Sequence, residues 1–253
     1  MIMKDILEKI SEISEANKIS KPFVVGGIPR SIYLGLDYDN SDIDITTNSS
    51  DITRLSLLTC DYFKEYFKVF DDGHISLYLE GYTLDFSSNF VSSDALEYVG
   101  DLEDDSLKEV YSRDFTMNTL HMDLKTYEII DPTGAAKQDI DNKIIKTVVP
   151  PEIAMADDPN RLWRAINFAS RLNFEISEDI VDFVLSNKEF FSDHPEIKTA
   201  YVEKIIGETV KINPTLTIEN LLKMDILSLV PLSGEFKREI ISRRMVKEYL
   251  DSI

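Results

Sequence analysis

Cysteine, histidine and basic side chains are all scarce in this 253-residue chain. A single cysteine, Cys60, excludes an internal disulfide and a cysteine-rich zinc site, and it suits a reducing compartment. His74, His121 and His194 are too few and too scattered for a histidine-based metal site. Only 27 Lys and Arg stand against 46 Asp and Glu, a net charge of −19. The imbalance is uneven: residues 1–148 carry 14 basic and 28 acidic side chains, residues 149–253 carry 13 and 18. So acidic a surface excludes casual binding to duplex phosphates, and any contact with nucleic acid has to come from local basic patches. No apolar run approaches the length of a membrane span. The first ten residues mix charge with apolar side chains and lack the uninterrupted core of a signal peptide. The expectation is a soluble, cytoplasmic protein with no membrane partner. Hydrophobic residues make up 43%, enough to bury a core.

The patterning changes along the chain. Ile6, Ile10 and Ile13 recur at helical spacing and predict a helix over residues 3–17. Phe23-Val24-Val25 reads as a short strand running into Gly26-Gly27, and a helix is expected to follow as far as Gly35. Asp42-Ile43-Asp44-Ile45-Thr46 alternates polar with β-branched residues and predicts a strand with one buried face. A helix over 51–65, a hairpin of 74–80 and 82–87 about Gly81, and strands at 127–130 and 144–149 complete the first part. The acidic stretch 92–109 reads as a mobile loop leading into a helix. After Pro150-Pro151 the periodicity is wholly helical, over 152–172, 178–187, 199–211, 217–228 and 235–250. The fold expected is α+β: a head over 1–148 with a mixed β-sheet, then an all-helical region over 149–253.

Three clusters carry chemistry. The first is Gly26-Gly27-x-x-Arg30 followed by Asp42-x-Asp44. Residues two apart on a strand point the same way, so the two aspartates present paired carboxylates. Hard oxygen donors so placed suit Mg²⁺, which takes one or two carboxylates together with phosphate oxygens and water. Glycines ahead of a helix let backbone N–H groups approach a phosphate, and Arg30 would add a charge-assisted contact. Taken singly, a Gly-Gly pair is a turn and alternating aspartates are a solvated strand face; the order and spacing make the combination specific. The second cluster is Arg113-Asp114-Phe115-Thr116-Met117-Asn118, which on its own reads as a helix N-capped by Asp114. The third is Asp157-Asp158-x-x-Arg161-x-x-Arg164 at a helix head, where Asp158 and Arg161 would share a face. An i,i+3 ion pair accounts for that spacing. So does base reading: a carboxylate accepting from an exocyclic amine, beside a guanidinium donating to a ring acceptor, matches C and A and opposes U and G.

In order, Val25-Gly26-Gly27-x-x-Arg30, Asp42-Ile43-Asp44-Ile45-Thr46-Thr47, Arg113-Asp114-Phe115-Thr116-x-Asn118, Asp131-Pro132-x-Gly134 and Asp158-Pro159-x-Arg161-Leu162-x-Arg164-Ala165 resemble the successive motifs of the class II CCA-adding enzymes. These are tRNA nucleotidyltransferases related to bacterial poly(A) polymerases. The resemblance runs from about residue 20 to Phe168–Ile176. It implies a nucleotidyltransferase head followed by a helical neck and body, and template-independent building or repair of the tRNA 3′-terminal CCA from CTP and ATP with release of pyrophosphate. By the same resemblance Asp42 and Asp44 bind two Mg²⁺ ions, one activating the tRNA 3′-hydroxyl and the other steadying the triphosphate. Asp85 is the candidate third carboxylate. Gly26, Gly27 and Arg30 cradle the triphosphate, and Arg113, Asp114 and Asn118 contact the nucleotide and its ribose. Asp158 and Arg161 select the base, and Arg164 assists.

The chain also departs from the family pattern. Ser31 replaces an aspartate after Arg30, Pro29 an aliphatic residue, Ser112 the first of two arginines, and Asp157 a glutamate. No arginine follows the third carboxylate, where Ser88, Asn89 and Phe90 stand. The helical region after the shared motifs is short. Lys237, Arg238, Arg243, Arg244 and Lys247 in the last predicted helix are candidate RNA contacts, and a second copy in a homo-oligomer is another source of surface. Poly(A) addition, or A-only or C-only tRNA extension, fits the head motifs equally. A nucleotide- or RNA-binding protein impaired in catalysis is the alternative of a different class, and retention of both metal aspartates argues against it.

Overall fold

The computed structural model describes residues 3–37, 42–48, 50–70, 73–87, 92–100, 102, 107–192 and 194–230. Two compact units, Met1–Ile140 and Asp141–Ile253, divide the chain.

The first unit is built on a seven-stranded mixed sheet in the order β3-β4-β5-β2-β1-β6-β7. The strands are β1 (Phe23–Val25), β2 (Asp42–Thr46), β3 (Phe67–Val69), β4 (Ile75–Leu79), β5 (Tyr82–Phe86), β6 (His121–Asp123) and β7 (Ile129–Ile130). Only β2 and β5 run parallel; the other pairs are antiparallel. Helix α1 (Met3–Ala16) buries Ile6, Leu7 and Ile10 completely. With α3 (Ile52–Phe63) it shares one core with the inward residues Val24, Ile43, Ile45, Leu77 and Leu84 of the sheet. Each such side chain contributes roughly 1.5–3 kcal/mol by leaving water. Helix α2 (Gly27–Leu34) ends where Gly35 turns left-handed at φ 65°, returning its N–H to Ile32 O. The remaining elements of this unit are α4 (Ser93–Val99), α5 (Lys108–Ser112) and α6 (Ala136–Asp141), the last of which meets the boundary.

The second unit contains α7 (Pro151–Asp157), α8 (Arg161–Leu172), α9 (Glu178–Ser186), α10 (Lys188–Ser192), α11 (Thr199–Ile212) and α12 (Pro214–Lys223), and α8 carries the fully buried Trp163 and Ile166. Helices α11 and α12 pack on α8, and the Thr217 hydroxyl donates to Ser170 Oγ at 3.0 Å within that contact.

Several expectations change. The helix read over 152–172 is two helices. Asp158 precedes Pro159, whose ring disfavours helical backbone on the residue before it, and Asp158 is extended at φ −147°, ψ 101°. The strand read over 144–149 shrinks to β8 (Ile144–Ile145), which pairs in parallel with β9 (Glu175–Ile176) inside the second unit. Both strands lie in the unit that begins at Asp141. The stretch read as a loop over 92–109 contains α4, its N-cap Ser92 accepting from the Ala95 N–H at 3.2 Å. The helix read over 217–228 starts earlier, with Asn213 as cap and Pro214 in the first turn. The 235–250 helix, with Lys237, Arg238, Arg243, Arg244 and Lys247, lies outside the described residues, as do Ser88, Asn89 and Phe90. No helix among the described residues is long and apolar enough to cross a membrane.

Candidate active site

Strand β2 sets the centre of the site. Ile43 and Ile45 point into the core with no exposure, which turns Asp42 and Asp44 to the opposite face. Register then brings in the neighbours. Asp44 lies opposite Val25 of β1 on one side and Asp85 of β5 on the other. Asp85 in turn lies opposite Ser76 of β4, whose hydroxyl donates to it. Asp44, Asp85 and Ser76 thus form one row across the sheet, with Asp42 a step along β2.

The turn after β1 closes against this row. Gly26 has φ 76° and ψ −125°, a backbone conformation side chains disfavour. A Cβ there would lie 2.7 Å from Asp44 Oδ2 and 3.3 Å from Arg113 Nη1. Glycine is therefore required twice, for backbone shape and for close approach. Gly27 opens α2, so the N-terminus of that helix begins beside the carboxylates. Arg30, on its first turn, reaches across to donate to Asn118 Oδ1.

The second motif does not form the helix expected. Asp114 is no N-cap: Phe115 occupies the cap position of a three-residue 3₁₀ turn, Thr116–Asn118. Asp114 Oδ1 instead accepts from the Phe115 N–H at 2.8 Å and from Asn118 Nδ2 at 2.7 Å. The chain Arg30–Asn118–Asp114 joins two motifs far apart in sequence. Arg113 forms an ion pair with Glu109, one helical turn earlier.

Burial is the largest influence on Asp44 and pushes its carboxyl above the usual carboxylate range. Arg113 opposes that shift, while the negative charges of Asp85, Glu109 and Asp42 reinforce it. A divalent cation would relieve the same repulsion. Among the described residues no group of three or more His, Cys, Asp and Glu forms a metal cage. A site resting on one or two carboxylates, completed by substrate oxygens and water, is the arrangement Mg²⁺ favours.

In the second unit, Arg161 is buried, its guanidinium donating to Ala154 O and to Asp157 Oδ2, each at 3.0 Å. Asp158 stands before the helix rather than on a face shared with Arg161, and its Oδ1 accepts from Asn160 N and Nδ2 at 2.9 and 3.1 Å. Arg164 is half-buried on α8. Two buried residues of the first unit escaped the sequence reading. Glu109 sits in a run of acids that resembles a solvated surface. His121, stacked on Phe23 with ring centroids 5.0 Å apart, lies on the strand His121-Met122-Asp123, whose polar residues are buried along with the apolar one, so its sequence does not reveal the burial.

Residues 22–146 match the poly A polymerase head domain. That segment carries the head domain of that family. A CCA-adding enzyme of Bacillus pumilus is 32% identical over 195 residues, covering 73% of this chain and 45% of the relative. A CCA-adding enzyme of Ligilactobacillus salivarius is 30% identical over 244 residues, 94% of this chain and 56% of the relative. The chain thus spans about half the length of the curated relatives it matches. Among solved structures, a CCA-adding enzyme complexed with ATP superposes with a TM-score of 0.71 at 22% identity, covering 89% of this chain and 51% of the other. A tRNA nucleotidyltransferase complexed with a primer tRNA and an incoming ATP analog gives 0.68 at 21%, covering 88% and 62%. The family fold, a nucleotidyltransferase head with a mixed sheet followed by helices, agrees with the sequence expectation.

Proposed function

We propose that this chain is a template-independent nucleotidyltransferase that extends tRNA 3′ ends with C and A, taken from CTP and ATP. The tRNA 3′-oxygen attacks the α-phosphorus, the bond from that phosphorus to the oxygen bridging it to the β-phosphate breaks, and pyrophosphate leaves as the hydroxyl proton passes to water. The observation that carries this reading is the row of Asp44 and Asp85, with Asp42 beside it, against the bare Gly26-Gly27 turn. Asp42 and Asp44, with Asp85 adjacent, would hold Mg²⁺, which supplies polarisation of the phosphate and a more acidic 3′-hydroxyl when bound. The Gly26-Gly27 turn, the start of α2 and Arg30 receive the triphosphate, with Arg30 fixed by Asn118. Arg113, Asp114 and Asn118 shape the nucleotide side of the site. Asp158 and Arg161, helped by Arg164, select C and A; the anchoring of Arg161 to Ala154 O and Asp157 fixes the direction of its donors. The names of the relatives, several of them complexes with tRNA, ATP or CTP, support the same substrates. The cytoplasm, where tRNA and nucleoside triphosphates meet, is the compartment this reading assigns.

One competing product has an observation in its favour: the matching head domain is described by poly(A) addition. Incubating the chain with tRNA transcripts ending before CCA, with CTP and ATP separately and together, separates the two. Addition of CCA and then arrest supports the proposal. Long tails from ATP alone replace it with the polyadenylating reading.

A further inference from the structure

Glu109 stands in the most acidic stretch of the chain, yet it is only 3% exposed. Burying a carboxylate is expensive unless it is paired, so its surroundings indicate why it is kept. Helix α5 is anchored by the fully buried Val110, which fixes the neighbouring Glu109 inside the head. One turn later Glu109 meets Arg113 in a buried ion pair. The far end of that guanidinium, Nη1, and Asp44 Oδ2 both border the space a Gly26 side chain would fill, 3.3 and 2.7 Å from its Cβ position, and the Arg113 charge acts on Asp44. Glu109, Arg113 and Asp44 therefore follow one another as alternating charges, ending at the candidate metal ligand.

We propose that Glu109 is a positioning residue for cation binding at Asp44, acting through Arg113. The inference rests on the reading of Asp42 and Asp44 as a divalent-cation site. An arginine beside a metal-binding carboxylate fixes its orientation but opposes the incoming cation. Glu109 offsets that charge and holds the guanidinium in place, so Asp44 is both oriented and left attractive to a cation. Arg113 is on this account a brace for Asp44 before it is a contact for nucleotide. Partners one step removed from a metal ligand typically change metal affinity 10–100-fold when altered.

The test measures Mn²⁺ binding to the full chain without nucleotide, from the electron paramagnetic resonance signal of free Mn²⁺, with folding followed by circular dichroism. Wild type and Asp44→Asn set the scale. Equal binding by these two overturns the metal reading and this inference with it. Given weaker binding by Asp44→Asn, Glu109→Gln is expected to weaken Mn²⁺ binding about 10-fold or more, because Arg113 is left unneutralised. The double variant Glu109→Gln/Arg113→Met, neutral at both positions, is expected to recover most of the lost affinity. A purely structural role for Glu109 predicts the reverse, a double variant worse than the single. Wild-type affinity in a folded Glu109→Gln overturns the inference while leaving the metal reading intact. Should Glu109→Gln fail to fold, the double variant decides alone: binding within about threefold of wild type supports Glu109 as the offset to the Arg113 charge, and a loss as deep as that of Asp44→Asn refutes it.

Discussion

Gly26→Ala adds one methyl group at the most constrained point of the site, and its consequences separate into two parts. The first is backbone strain. A side chain at φ 76° and ψ −125° costs on the order of 1–3 kcal/mol, which appears as a lower melting temperature. The second is local. The new Cβ would lie 2.7 Å from Asp44 Oδ2, well inside van der Waals contact, and the carboxylate is the part free to yield. It has to move by roughly half an ångström or more, toward Asp85 and away from its present orientation. Misplacement on that scale at a reacting centre costs up to about 100-fold in rate. Incorporation of labelled CMP into tRNA lacking CCA, measured below the melting temperature of the variant, reads the second effect free of the first. The expected result is a folded protein with a deep loss of turnover. A folded Gly26→Ala variant within threefold of wild-type activity would refute the claim that the bare turn sets the carboxylate.

Three other predictions concern stability and specificity. The Asp44 carboxyl is held above its ordinary value, so the charged form is disfavoured in the folded state and weakens the protein at neutral pH. Asp44→Asn should therefore melt higher than wild type in the presence of a chelator while losing incorporation, and Mg²⁺ should raise the melting temperature of wild type only; a lower-melting Asp44→Asn contradicts this. Burial, reinforced by Arg113, pushes the His121 imidazole down to about 4 from 6.5. The stability it contributes is intact above pH 6.5 and lost as pH falls toward 4, roughly 3 kcal/mol in all. In melting curves across that range His121→Gln should show a shallower loss than wild type, and parallel curves would remove His121 as the cause. Asp158→Ala should let UTP and GTP compete in incorporation assays while the melting temperature stays within a few degrees, whereas unchanged nucleotide preference would leave Asp158 as a turn residue that caps Asn160.

What the sequence revealed was what repeats or alternates. Asp42-Ile43-Asp44-Ile45 declares both a strand and its polar face, because the isoleucines have only one way to be buried. The hairpin about Gly81 and the amphipathic α1 are legible for the same reason. Short elements that are uniformly buried or uniformly exposed carry no such signal: β6 is three residues with none exposed, and β3 is a three-residue edge strand with none buried. The break between α7 and α8 was present in Asp158-Pro159 but hidden by apolar periodicity continuing through it. The site was half visible. Its glycines and aspartates stand in recognisable order, whereas the Glu109–Arg113 pair and the Ser76–Asp85 contact depend on register and burial. A glutamate in an acidic run looks the same whether it faces water or a guanidinium.

The central claim is that Asp42 and Asp44 carry divalent-cation-dependent transfer of a nucleotide to RNA. The most direct measurement follows label from α-³²P-CTP into tRNA lacking CCA, with and without Mg²⁺, for wild type and for Asp42→Asn/Asp44→Asn. The account predicts label in the tRNA with wild type and Mg²⁺ together and in no other combination; label transferred by the doubly substituted chain would contradict it.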